Sequence, residues 1–142
     1  MSEPYYATSR DAEQAFYEAF QKAELDDMMN VWSAQHSIIC IHPMGSRLEG
    51  REAVAQSWRQ IFSGGAQMRF ELAEISCTQD GNLAVHCVYE NIEHGAQLAQ
   101  RSLVLATNVY QSADRGWRMV VHHASPVIAT QTASNEPHST VH

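Results

Sequence analysis

The sequence predicts an α+β domain: three N-terminal helices packed on a curved, mostly antiparallel sheet. Apolar residues recur at helical spacing as far as Phe62, and from Met68 onward the period changes to two. Hairpin signals, Asp80-Gly81 and Asp114-Arg115-Gly116, separate the later apolar runs. The 142-residue length fits one domain, and a chain near 150 residues buries roughly 70% of its unfolded surface, enough for a core without staples.

Thr8-Ser9-Arg10-Asp11 reads as a capping box, and the stripe Ala12, Ala15, Phe16, Ala19, Phe20, Ala23 follows it at helical spacing. Leu25, Met28, Met29 and Trp32 stand at i, i+3, i+4 and i+7, which predicts a short second helix. A brief strand over 37–42 ends at Pro43. Gly50 opens a third helix with Val54, Trp58, Ile61 and Phe62 on one face, and Gly64-Gly65 stops it.

Met68, Phe70 and Leu72 then alternate until the phase slips at Ala73, which predicts a β-bulge. The next strand sets Leu83, Val85, Cys87 and Tyr89 against Ala84, His86, Val88 and Glu90. A loop at His94-Gly95 leads to a long strand over about 97–110, and the last strand covers 117–125, closed by Pro126. Residues 1–126 form the domain, and 127–142 read as a polar C-terminal tail, ordered only where something pins it. A bulged, long-stranded sheet curls, and helices across its mouth enclose a cone-shaped cavity.

Composition excludes several functions. The net charge is −7 and Lys22 is the single lysine, so there is no basic patch for nucleic acid and no attraction to anionic membranes. No signal peptide or membrane-length apolar run is visible, and a cytoplasmic protein is expected. Cys40, Cys77 and Cys87 are odd in number and form no CxxC pair, which suggests buried free thiols. Eight histidines raise the question of a metal. No HxH, HxxxH or HxxE pattern occurs in the body of the chain, so neither a metal nor another cofactor is expected.

Three stretches resemble a known superfamily. They are Ala23-Glu24-Leu25-Asp26; Ile41-His42-Pro43-Met44-Gly45 with Leu48-Glu49-Gly50-Arg51; and Ala106-Thr107-Asn108-Val109-Tyr110 with the ending from Gly116-Trp117-Arg118 to His122-His123-Ala124-Ser125-Pro126. Together, from about residue 10 to 126, they are similar to the nuclear transport factor 2-like (NTF2-like) superfamily, which includes ketosteroid isomerase and the SnoaL-like cyclases. The ending also resembles the association domain of calcium/calmodulin-dependent kinase, which uses this fold to oligomerise. The resemblance implies the cone-shaped NTF2-like fold and leaves function open, because such folds host unrelated activities. Where ketosteroid isomerase has its Asp-Pro base, this chain has His42-Pro43. The isomerase's helical tyrosine falls at or near Phe16, beside Tyr17, and its second donor falls around Thr107 or Asn108. That enzyme's carboxylate pair is absent, so its activity is not expected.

His42 is the leading candidate for a general base, since imidazole exchanges protons near neutral pH. The plain alternative is a structural histidine closing the strand. His122 and His123 must face apart, and the resemblance turns His123 towards the cavity and His122 towards a sheet-packing or dimer face. Asn108 breaks β propensity in mid-strand and is a candidate donor to developing oxyanion charge, or else a buried amide bonded to a neighbouring loop. Phe16, Tyr17, Trp32, Trp58 and Tyr89 are candidate ligand-binding residues, although such stripes are more often core. Arg101 is expected to pair with Glu90. The reading that follows is a SnoaL-like homodimer whose apolar cavity holds a small hydrophobic molecule, with acid/base catalysis of isomerase, dehydratase or cyclase type through His42, Asn108 and His123. The alternative is a non-catalytic ligand-binding or oligomerisation module.

Overall fold

Thr8 starts the first helix as its capping pattern predicts. Its hydroxyl accepts from the Asp11 backbone N–H at 3.0 Å, and α1 runs Ser9–Lys22. Ala23 ends it in the left-handed conformation (φ 57°), where its N–H and that of Glu24 close back on Phe20 and Ala19. Then come α2 (Leu25–Val31), β1 (Ile39–Ile41), β2 (Leu48–Glu49) and α3 (Arg51–Ser63). Four long strands complete the chain: β3 (Met68–Asp80), β4 (Leu83–His94), β5 (Gln100–Ala113) and β6 (Gly116–Pro126), with a 3-10 turn at Ala96–Leu98 before β5. This computed structural model describes residues 3–65 and 67–128, so most of the expected tail, with His138 and His142, lies outside the described residues.

The strands form one six-stranded sheet in the order β2-β1-β6-β5-β4-β3. The meander from β3 to β6 is antiparallel, and β1 adds to β6 in parallel, pairing Cys40 with His122. Two bulges set the phase of the side chains. In β3 the pairing shifts between Ala73 and Ser76, with Glu74 at φ 47°, where the sequence slips. The second is in β6: Val109 pairs with Val121 but Tyr110 pairs with Met119, leaving Val120 as the extra residue. No break in the apolar pattern of the last strand announces it.

The helices cover one face of the sheet. Phe16, Met28, Val54 and Trp58 pack with Ala84, Val88, Ala106, Tyr110 and Met119, all fully buried. Trp58 takes Phe16 and Phe20 edge-on at 5.7 and 4.7 Å, arrangements that add about 0.5–1.5 kcal/mol each beyond area burial. The inner face of β4 is Ala84, His86, Val88 and Glu90, and the outer face carries Leu83, Val85, Cys87 and Tyr89. Of the three expected buried thiols only Cys40 is buried. Cys87 is half-buried on the outer face and Cys77 is exposed near the β3–β4 turn. Among the described residues no helix is long and apolar enough to cross a membrane.

Candidate functional site

Ser9, Glu13 and Tyr17 stand four residues apart on α1, so they form a polar line along the edge of its apolar stripe. His86 and Glu90, on the inner face of β4, meet this line. Tyr17 donates its hydroxyl proton to Glu90 Oε2 at 2.5 Å. His86 bonds Glu13 Oε2 through Nδ1 at 3.0 Å and Ser9 Oγ through Nε2 at 2.9 Å. Arg10 closes the outer side, with Nε 3.1 Å from Glu13 Oε1.

Asn108 extends the first pair into a directional chain. Its amide Nδ2 donates to Tyr17 Oη at 3.0 Å, and its Oδ1 accepts from His122 Nδ1 at 2.6 Å. The donors therefore run from His122 through Asn108 and Tyr17 to Glu90. Burial pushes the Glu90 carboxyl up to about 7, with the Tyr17 hydrogen bond pulling the other way. Burial pushes His122 down to about 3, so its ring is neutral and its Nε2 carries a lone pair. Beside this chain the Tyr110 hydroxyl, its acidity suppressed by burial, has no hydrogen-bond partner among the described residues.

His42 stands just past β1, half-buried, its ring 4.8 Å from Trp58 and 6.3 Å from His122. Ser57 donates to the Val54 carbonyl at 2.7 Å, so its oxygen accepts from His42 Nε2 at 3.0 Å. That arrangement places the proton on Nε2 and leaves Nδ1 as an acceptor. Burial holds the imidazole below its ordinary value, so it is neutral at pH 7.

The structure corrects several sequence expectations. His122, not His123, faces inward: the bulge at Val120 inverts the alternation, and His123 is exposed on the outer face. Asn108 is fully buried, with both amide atoms bonded to side chains, so it orients Tyr17 and His122. Phe16 and Trp58 are sealed in the core, and Tyr89 lies on the outer face, because the Ala84–Glu90 set of β4 turns inward. Tyr17 does reach a cleft. Arg101 pairs with Glu93 at 3.5 Å, since Glu90 is taken by Tyr17 and the β4–β5 register sets Glu93 opposite Arg101.

Two clefts lie near these groups. One of about 360 Å³ opens between α1 and β3, with Glu13 and Tyr17 on one wall and Phe70, Leu72 and Ile75 on the other. A second, about 480 Å³ and largely apolar, has Pro43, Met44, Met68, Ile92 and Leu103 among its walls, directly after His42 in sequence. Sequence reasoning missed Glu13, His86, Glu90 and His122. The four-residue spacing of Ser9, Glu13 and Tyr17, matched by His86 and Glu90, was the available signal. No group of three metal-ligating side chains converges among the described residues.

Comparison with known proteins agrees with this architecture. The family profile of the SnoaL-like domain matches residues 10–129. A candidate calcium/calmodulin-dependent protein kinase type II association domain from Thiobacillus denitrificans is 41% identical, with a TM-score of 0.81 over 89% of this chain and 100% of that one. A dehydratase candidate of the NTF2-like family from Streptomyces avermitilis is 31% identical, with a TM-score of 0.77 over 83% of this chain and 92% of that one. The F-box protein SKIP8 of Arabidopsis thaliana is 26% identical over 129 residues, 87% of this chain and 53% of that protein, so the chain spans about half the length of that relative. The helices on a curved sheet, the closing strands and the matched profile together place this chain in the SnoaL-like domain family of the NTF2-like superfamily.

Proposed function

We propose that the chain binds a small, largely apolar molecule and moves a proton on it, chemistry of the isomerase, dehydratase or cyclase type. The observation that carries this reading is the Tyr17–Glu90 pair: Tyr17 stands in the wall of the α1/β3 cleft, 2.5 Å from a carboxyl pushed up to about 7. Glu90 is 2% exposed and lies behind Tyr17, so the proton passes through the phenol: Tyr17 Oη takes it from the ligand as its own proton moves to Glu90, a group that titrates near the working pH and can return it. Phe70, Leu72 and Ile75 supply the apolar wall such a ligand needs. His42 is the second base, with its Nε2 proton anchored on Ser57 and Nδ1 available. The name of the Streptomyces relative, a dehydratase candidate, belongs to the same reaction class.

The test uses 5-nitrobenzisoxazole, a small apolar C–H acid whose ring opens to a coloured phenolate when a base removes its proton. The chain is expected to accelerate this opening with a pH midpoint of about 7, and Glu90→Gln to remove the acceleration. Tyr17→Phe should remove it as well, because the Tyr17 hydroxyl links the cleft to Glu90. A midpoint below the ordinary imidazole value of about 6.5, lost in His42→Gln, assigns the base to His42 instead. An unaccelerated reaction, or one untouched by both substitutions, overturns the proposal.

A second reading is favoured by the outer sheet face. Leu83 and Val85 are 42% and 38% exposed there, beside half-buried Tyr89, Leu105, Val109 and Val121. A second copy of the chain, paired about a two-fold axis, fits this apolar surface, and a homodimer is the proposed state. The name of the Thiobacillus relative, an association domain candidate, points the same way. Light scattering at micromolar concentration gives twice the chain mass if this is right, and the monomer mass overturns it.

A further inference from the structure

A separate cleft of about 270 Å³ opens where the segment ahead of α1 crosses the start of β6. Tyr6 bridges Gly116, and the Trp117 N–H donates to the Tyr6 carbonyl at 2.9 Å. Arg51, Arg115 and Arg118 line this cleft, three of the nine basic residues of a chain whose net charge is −7. Such a concentration of positive charge in an acidic protein asks for an anion.

Two of the three guanidiniums are positioned by neutral groups. Arg51 donates through Nη2 to the Met29 carbonyl at 2.7 Å, and through Nη1 to the carbonyls of Trp32 and Ser33 at 3.3 Å each. Arg118 donates to the Pro4 carbonyl at 2.6 Å and lies 4.7 Å over the Tyr6 ring. These contacts fix geometry without cancelling charge. Glu3 is the one acid among the lining residues. Its Oε1 sits 2.7 Å from Arg115 Nη1 and 3.9 Å from Arg118 Nη2, and the Arg115 hydrogen bond holds its carboxyl below the ordinary range.

A carboxylate is therefore already seated between two arginines, and it is a replaceable one. Glu3 is half-exposed, and solvent screening makes a surface pair of this kind weak. Trp32, 1% exposed, forms part of the apolar wall. Met29 adds apolar surface beside it.

We propose that this cleft binds a small carboxylic acid, with the ligand's carboxylate taking the place of Glu3 between Arg115 and Arg118 and its apolar body against Met29 and Trp32. Neither the α1/β3 cleft nor His42 takes part.

Benzoate is the probe, titrated by calorimetry and by amide and indole NMR, with benzamide and inorganic phosphate as controls. Benzoate should bind and move the Trp32 indole resonance, which Trp32→Phe identifies, while benzamide does neither. Glu3→Gln removes the internal competitor and should tighten benzoate by about three- to fivefold, and Arg115→Gln should weaken it by a similar factor. Both positions are more than half exposed, so neither substitution threatens the fold. Equal binding of benzamide, binding of phosphate as tight as that of benzoate, or indifference to both substitutions overturns the proposal.

Discussion

The two faces of the sheet differ in an unusual way, with polar groups set into the apolar inner face and apolar ones left on the outer. On the inner face, His86, Glu90, Asn108 and His122 are buried, each hydrogen-bonded to a side chain. On the outer face, Leu83 and Val85 are exposed, and His123 points away from the core. The inner polar groups are tolerated because α1 brings Ser9, Glu13 and Tyr17 to meet them. A buried polar group without a partner costs about 1–3 kcal/mol. Polarity along a strand thus says that its faces differ, and only the partner element says which one is inside.

The largest test of this contrast is Asn108→Ala. It leaves the His122 Nδ1–H without an acceptor and Tyr17 without a donor, and it opens a void. A loss on the order of 4 kcal/mol is expected by urea denaturation. A loss under 1 kcal/mol would mean that the inner network contributes no more than a surface one.

The pH dependence comes next. Glu90 has a folded pKa of about 7 against an ordinary 4.5, so its contribution to stability is fully present below 4.5 and is lost as pH rises to 7. His122, pushed from 6.5 to about 3, does the opposite: its contribution is present above 6.5 and is lost as pH falls towards 3. The two oppose each other between 4.5 and 6.5 and give a flat optimum there. In Glu90→Gln the loss towards pH 7 should vanish, a difference on the order of 3 kcal/mol between pH 4.5 and 7 in chemical denaturation. Parallel curves for the two proteins would refute the buried titration of Glu90.

Tyr17→Phe removes one hydroxyl from the same chain and should cost about 1–2 kcal/mol, read as a lower urea midpoint at unchanged slope. The smallest effects belong to the outer face. His123→Gln should stay within about 0.5 kcal/mol. Val85→Lys should do the same in the isolated chain while shifting the mass in light scattering from dimer to monomer. If His123→Gln destabilised more than His122→Gln, the assignment of faces would be reversed.

Much of the fold was legible because local rules decide it. Thr8 caps α1, the period change at Met68 separates helices from strands, and the slip at Ala73 marks a bulge, since each depends on neighbours in sequence. The β6 bulge was not legible. Trp117 to Ala124 gives apolar residues to both faces, so an extra residue at Val120 leaves no trace in the pattern, and it turns His122 inward in place of His123. The candidate site divides along the same line. His42 was found because Pro43 and the strand end single it out, and Asn108 because asparagine is out of place in mid-strand. Glu90 reads in sequence only as a cross-strand partner for Arg101, because its actual partner, Tyr17, lies 73 positions away.

The sequence alone determined the element order, the helix caps, the first bulge, the acidic balance and the membership of the fold class, because spacing and composition act over a few residues at a time. The tertiary structure decided which sheet face is inside, which of two adjacent histidines is buried, and that Glu90 titrates near neutrality. It also gathered three arginines from α3, the β5–β6 turn and β6 around Glu3. Each of these depends on partners far apart in the chain, and burial and charge pairing act through space rather than along the sequence.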